Sequence, residues 1–253
     1  MNKLYDNTGN NFIAYNKHIG NKKEAPCIIF LHGFMSDMNG EKALALEKYA
    51  IRKGYGFIRF DNFGCGTSSG KFIDQTISSW LEGATLVIEK LADNKIIIIG
   101  SSLGAWIGLL SAMKFPNKIV GLICIAAATD FTEELIWQSL TEEEKAVFIQ
   151  NGSYNIRGKN QGCHSPYPIS LNLITDGRKN LLLSGNNINI NCPVHLVHGM
   201  QDFDVPFTIS LRVAEKLTSN QVITKLIKDA DHKLSRPQDL QIIFESLDLI
   251  FNK

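Results

Sequence analysis

A chain of 253 residues with 44% hydrophobic and 20% charged side chains fits one large domain, or a domain with a small insertion. At this size roughly 70–75% of the unfolded surface is lost on folding. The formal net charge of +1, without a long run of like charge, argues against nucleic acid or an anionic membrane as the main partner.

The start, "MNKLYDNTGNNF", is polar and poor in arginine. It reads as neither a secretory signal nor a transit peptide. "FIAYNKHI" (12–19) alternates and predicts an antiparallel lead-in strand. "CIIFLHG" (27–33), "GFIRFD" (56–61), "KIIIIG" (95–100), "IVGLICIAA" (119–127) and "PVHLVHG" (193–199) are nearly continuous apolar runs. Such runs suit parallel strands covered on both faces. "QVITKLI" (221–227) is a sixth, nearer an edge. Helical periods fall between them, at 39–54, 76–91, 103–116, 204–217 and 235–251. Pro116 stops the third and Pro237 opens the last. Strand–helix alternation predicts an α/β fold with a mostly parallel, doubly wound sheet.

The segment 129–191 breaks this rhythm. It offers one or two helices, then a loop-rich piece, and no good strand. It reads as a helical and loop cap inserted in a core formed by 1–128 and 192–253. The most apolar stretch, "IVGLICIAAA" (119–128), is too short to span a bilayer. Five cysteines, at 27, 65, 124, 163 and 192, form no Cys-x-x-Cys pair. They argue against a disulfide framework or zinc site and for a reducing compartment. A cytoplasmic protein, monomeric or weakly self-associating and without stable membrane insertion, is expected.

Gly100-Ser101-Ser102-Leu103-Gly104 fits G-x-S-x-G, between a predicted strand and a predicted helix. A turn that sharp lifts the central hydroxyl to the C-terminal edge of the sheet, so Ser102 is the candidate nucleophile. A serine needs a base, and the base an orienting group. Asp202, after the strand 193–199, and His232, after the strand 221–227, complete the order Ser, acid, His. Asp204 is an alternative acid; otherwise it caps the helix that follows. Asp229 and Asp231 read as solvated loop residues, and His198 as a structural histidine. His18, His164 and His195 have no supporting context. Oxyanion donors are expected from the backbone N–H of Leu103 and of Phe34, with Met35 as runner-up for the second.

Together "LHGF", "FDNFGCGTSSG", "GSSLG", "HGMQDFDVP" and "DADH" resemble the α/β-hydrolase family. With "HSPYPI" in the cap segment, the chain resembles a branch of that family that holds palmitoyl-protein thioesterases and acyl-glucuronide esterases, bacterial members included. The resemblance implies the α/β-hydrolase fold and a serine hydrolase that needs no cofactor or metal. Its substrates would be carboxylic esters or acyl thioesters, on small molecules or on an acylated protein, with Ser102, Asp202 and His232 as triad. A peptidase on the same triad, or a slow-turnover ligand receptor, are the alternative readings. Met35, Trp137 and Phe148 are candidates to line an acyl pocket; packing under the cap is the equal alternative for Met35, and the cap's own core is the favoured reading of Trp137 and Phe148. Arg157, Lys159 and Arg178 are candidates to hold an anionic headgroup.

Overall fold

The computed structural model describes residues 1–93, 95–156 and 166–252. Its strands are β1 (Asn2–Tyr5), β2 (Phe12–His18), β3 (Cys27–Leu31), β4 (Phe57–Phe60), β5 (Ile96–Ser101), β6 (Ile119–Ile125), β7 (Ser153–Ile156), β8 (Tyr167–Ser170), β9 (Val194–Gly199) and β10 (Val222–Ile227). Eight of them form one sheet, in the order β1-β2-β4-β3-β5-β6-β9-β10. β1 and β2 are antiparallel; from β4 to β10 every neighbouring pair is parallel.

The four isoleucines of β5 show why this sheet forms. Ile96 and Ile98 enter one apolar core, and Ile97 and Ile99 the other. A strand sends successive side chains to opposite faces, so a run covered on both faces has no polar position. Helices α1 (Glu41–Lys53), α2 (Ile77–Leu91), α3 (Leu103–Lys114), α4 (Glu142–Asn151), α5 (Leu171–Gly177), α6 (Thr208–Lys216) and α7 (Pro237–Phe251) supply the cover. Trp80 of α2, Trp106 of α3 and Val213 of α6 pack in the first core. Leu46 of α1 and Leu247 of α7 pack in the second. β10 lies at the edge, as its weaker apolar pattern predicts.

The parallel register sets the functional edge. Leu31 lies beside Gly100, Ser101 beside Ile125, Ile125 beside Val197, and Gly199 beside Ile227. The loops that leave β3, β5, β6, β9 and β10 therefore emerge together, where open α/β sheets bind ligands.

Between β6 and β9 a π-helical turn (Thr132–Ile136) runs into a 3₁₀ turn (Trp137–Ser139) and then α4. The expectation of no strand in 129–191 is corrected here: β7 and β8 pair as an antiparallel ribbon, and α5 follows directly. Both strands are at the lower length limit for an alternating signal, and Pro168 inside β8 reads against a strand. Arg157, Lys159 and His164 lie outside the described residues. Among the described residues, no helix is long and apolar enough to cross a membrane.

Asp130 ties the start of the segment between β6 and β9 to a stretch near its end. The buried carboxylate accepts the backbone N–H of Leu182 at 2.9 Å and of Leu183 at 2.7 Å. Burial pushes its pKa up to about 6, against the pull of those two N–H groups. An acid with a raised folded pKa takes up a proton on folding, so its contribution falls as pH rises from about 4 to about 6. Urea midpoints of the wild type should carry that falling component, and Asp130→Asn should lack it. Equal slopes in the two proteins would contradict this account.

Candidate active site

Two glycines let β5 run straight into α3. A Cβ at Gly100 would lie 2.3 Å from the Gly104 carbonyl oxygen, and one at Gly104 would lie 2.1 Å from that of Leu31. Strand and helix thus touch backbone to backbone. Between them Ser102 has φ 56° and ψ −117°, a strained conformation for a residue with a side chain. Backbone bonds hold it there: its N–H donates to Ile125 at 2.8 Å, and its carbonyl accepts from Ala105 at 3.0 Å and Ala128 at 3.2 Å. The hydroxyl is left free to meet a partner from another loop.

That partner is His232. Its Nε2 lies 3.1 Å from Ser102 Oγ, and its Nδ1 lies 2.7 Å from Asp202 Oδ2. An ionised carboxylate only accepts, so Nδ1 carries the proton and Nε2 faces the serine with its lone pair. Asp202 Oδ1 accepts the N–H groups of Asp204 at 3.0 Å and Val205 at 2.8 Å. Burial works to raise the pKa of Asp202. The hydrogen bonds from His198, His232 and Val205 outweigh it and hold the group well below the usual carboxylate range.

Asp204 does not cap α6, as the sequence suggests it would. That helix begins at Thr208 with Phe207 before it, because residues 202–205 are bent around the Asp202 carboxylate. Asp229 pairs with Arg236 at 2.9 Å, and Asp231 closes a turn by accepting the N–H of Lys233 at 3.0 Å. Asp202, Asp204 and His232 together offer three ligand-type atoms within 4.8 Å of one another. The bonds already on Asp202 and His232 account for that grouping.

His32 braces the loop facing Ser102. Its Nε2 receives the backbone N–H of Asn62 at 3.1 Å, so Nδ1 is protonated and donates to the Gly33 carbonyl at 2.8 Å. Burial lowers its pKa, in keeping with a neutral ring. Among the described residues, neither the Phe34 N–H nor the Leu103 N–H meets a protein acceptor.

A cavity of about 690 Å³ opens over Ser102 and His232. The segment between β6 and β9 contributes Phe131, Leu135, Ile136, Ile156 and Tyr167. The Phe34 ring meets those of Phe131 at 5.3 Å and Tyr167 at 5.9 Å, so this side is aromatic and apolar. Asp37, Lys42, Asp231 and Lys233 make another part polar. The Lys42 ammonium donates to the Lys233 carbonyl, and burial pushes its pKa down to about 8. Met35 lines the cavity and is 54% exposed.

Trp137 and Phe148 do not line the cavity; they pack together beside it, as the core reading of these two residues expects, and the acyl-pocket reading is dropped. Their rings lie 6.0 Å apart, and Phe148 is fully buried against Tyr154. Arg178 also stays away from the cavity: it pairs with Glu133 at 2.7 Å and covers the Trp137 ring. The missed lining residues, Leu135 and Ile136, sit on the π turn. A 3.6-residue period cannot find them, because the wider turn shifts which side chains share a face. His198 is the other residue whose part sequence reasoning missed: its Nε2 lies 3.0 Å from Asp202.

The chain belongs to the α/β-hydrolase family. Residues 26–157 match the family model for the alpha/beta hydrolase fold. Over 246 residues the chain is 34% identical to the human protein named palmitoyl-protein thioesterase ABHD10, mitochondrial, covering 95% of this chain and 77% of that one. The solved structure of alpha/beta hydrolase domain-containing protein 10 from mouse superposes with a TM-score of 0.90 at 30% identity, covering 100% of this chain and 99% of that one. A bacterial protein of solved structure, from Agrobacterium vitis, superposes with a TM-score of 0.91 at 35% identity, over 99% and 97% of the two chains. The curated relatives of this group are described as mitochondrial, so the comparisons give no support to a cytoplasmic address.

Proposed function

We propose that this protein is a serine hydrolase that cleaves acyl thioesters and carboxylic esters through an acyl-serine intermediate. The observation that carries the reading is the continuous Asp202–His232–Ser102 contact at the floor of a 690 Å³ cavity. That volume lies in the range of small-molecule sites. The name of the human relative adds long-chain acyl thioesters on protein to the substrates worth testing.

In this reading His232 Nε2 takes the Ser102 proton as Oγ attacks the carbonyl carbon. The carbonyl electrons move onto oxygen, which the N–H groups of Leu103 and Phe34 stabilise. Each donor is worth on the order of 3 kcal/mol. Asp202 holds the ring and offsets the charge of the imidazolium. As the tetrahedral species collapses, the thiolate or alkoxide leaves and takes the proton from His232. Water then gives a proton to His232 and attacks the acyl-serine; as the second tetrahedral species collapses, His232 gives that proton to Ser102 Oγ, and the acid is released. The aromatic side of the cavity, around Phe34, Phe131 and Tyr167, takes the acyl chain.

The test is turnover on p-nitrophenyl esters and acyl thioesters of rising chain length. We expect kcat/KM to rise with chain length as methylenes enter the apolar side, by up to about fourfold for each fully buried methylene. An optimum at acetyl would remove the acyl-chain role of the insertion. Hydrolysis of amides in preference to esters would point to a peptidase. Absence of steady turnover after one burst would point to a receptor.

A further inference from the structure

Asp202 is held by more than the base it serves. Oδ2 is shared by two imidazoles, His232 at 2.7 Å and His198 at 3.0 Å. Oδ1 takes the two backbone donors from Asp204 and Val205. A carboxylate has about four acceptor sites, and four donors fill them. His198 itself is fully buried, at the C-terminal end of β9. Its Nε2 faces only acceptors, Asp202 Oδ2 and the Val205 carbonyl at 3.0 Å, so Nε2 carries a proton. Its Nδ1 lies 2.7 Å from Ser210 Oγ on α6, and the Ser210 hydroxyl has a proton to give it. The contacts therefore run Ser210, His198, Asp202, His232, Ser102.

We infer that His198, set by Ser210, is a positioning residue that orients Asp202 and limits how strongly Asp202 holds the proton of His232. This rests on the reading of Ser102, His232 and Asp202 as a triad. Orientation follows from saturation: Asp202 cannot turn toward or away from His232 without breaking bonds to three other donors. The electrostatic part follows from charge. Each donated bond draws electron density from the carboxylate and stabilises its ionised form. A carboxylate relieved in this way grips the His232 proton less. Without His198, Asp202 becomes more basic, the imidazolium is favoured, and the acidic limb of kcat/KM moves to higher pH.

The other ionisable groups around the base come from several loops. Asp204 lies on the acid loop, Asp231 and Lys233 flank His232, and Lys42 reaches in from α1; His32, Asp37 and Glu41 also line the cavity. All of these groups are present in every variant at position 198 or 210, so a shift in the limb that His198→Gln reverses reports this contact.

The experiment compares pH profiles of kcat/KM on one p-nitrophenyl ester for wild type, His198→Met, His198→Gln, Ser210→Ala and Ser102→Ala. Methionine fills the space without a donor; glutamine keeps an N–H near the position of Nε2. We expect the acidic limb of His198→Met to rise by about one pH unit, with kcat down about tenfold. His198→Gln should restore the wild-type limb, and Ser210→Ala should move it upward by less. A His198→Met limb that coincides with wild type, or a glutamine variant that moves as far as methionine, overturns the inference. A loss of packing alone would lower kcat at every pH and leave the limb in place. Where His198→Met does not fold by circular dichroism, Ser210→Ala decides: an upward limb supports the inference and a coincident one overturns it. Full activity in Ser102→Ala would sink the triad reading itself; inactive Ser102→Ala beside unmoved limbs would sink only this inference.

Discussion

Ser102→Ala should lower kcat by about 10⁴–10⁶ and leave the melting temperature where it was. In the proposed mechanism the loss of rate follows from losing the attacking atom, Oγ, 3.1 Å from His232 Nε2. The unchanged stability follows from how position 102 is held. Its bonds to Ile125, Ala105 and Ala128 are all backbone, and alanine keeps them. Alanine also keeps the Cβ, and with it the strain of φ 56°. Ser102→Gly should be as inactive yet more stable, by about 1 kcal/mol, because glycine adopts positive φ freely. Thermal melts beside single-turnover kinetics would check all three proteins. Activity retained in both variants would remove Ser102 from the mechanism. A glycine variant less stable than alanine would contradict the strain.

Gly104→Ala should show a large loss of stability from a single methyl group. The new Cβ would lie 2.1 Å from the Leu31 carbonyl oxygen, 2.6 Å from the Leu31 carbonyl carbon and 2.7 Å from the His32 carbonyl oxygen. These are backbone atoms, so no side chain can swing aside. Either α3 leaves the sheet or the end of β3 moves, at a cost of about 3 kcal/mol. The end of β3 leads directly to Gly33 and Phe34, one wall of the cavity. Turnover per folded molecule should therefore fall as well, about tenfold or more. A urea midpoint lowered at constant slope, with kcat/KM on the folded enzyme, would test both parts. A midpoint equal to wild type would mean that β3 and α3 are not locked together at this point.

Both expectations depend on a turn that the sequence announces, and the reason is local. A strand that must break into a helix within three residues needs small neighbours, and Gly100 and Gly104 are legible as letters. The same holds for the sheet. A strand covered on both faces must be apolar throughout, so runs such as Ile96–Ile99 mark the parallel strands without any tertiary knowledge. Ser102, Asp202 and His232 were readable for a related reason: each follows a recognisable strand, and parallel strands put their C-terminal ends on one edge.

What surrounds those three residues was decided by tertiary structure. From the letters alone Trp137 and Phe148 fit either a pocket or a core; the π turn at Thr132–Ile136 gives the cavity Leu135 and Ile136 and leaves the two rings against each other. Asp204 looked like a cap until the loop around Asp202 took up its N–H and delayed α6 to Thr208. His198 is the buried, hydrogen-bonded histidine that the sequence suggests, but its partner was not legible: the loop geometry brings it to 3.0 Å from the carboxylate four residues later. Periodicity and turn chemistry are properties of neighbours along the chain, so the sequence by itself determined the sheet, the sharp turn and the order serine, acid, histidine. Side-chain contacts between loops depend on how each loop bends to satisfy its own buried donors and acceptors, and only the folded chain settles those together.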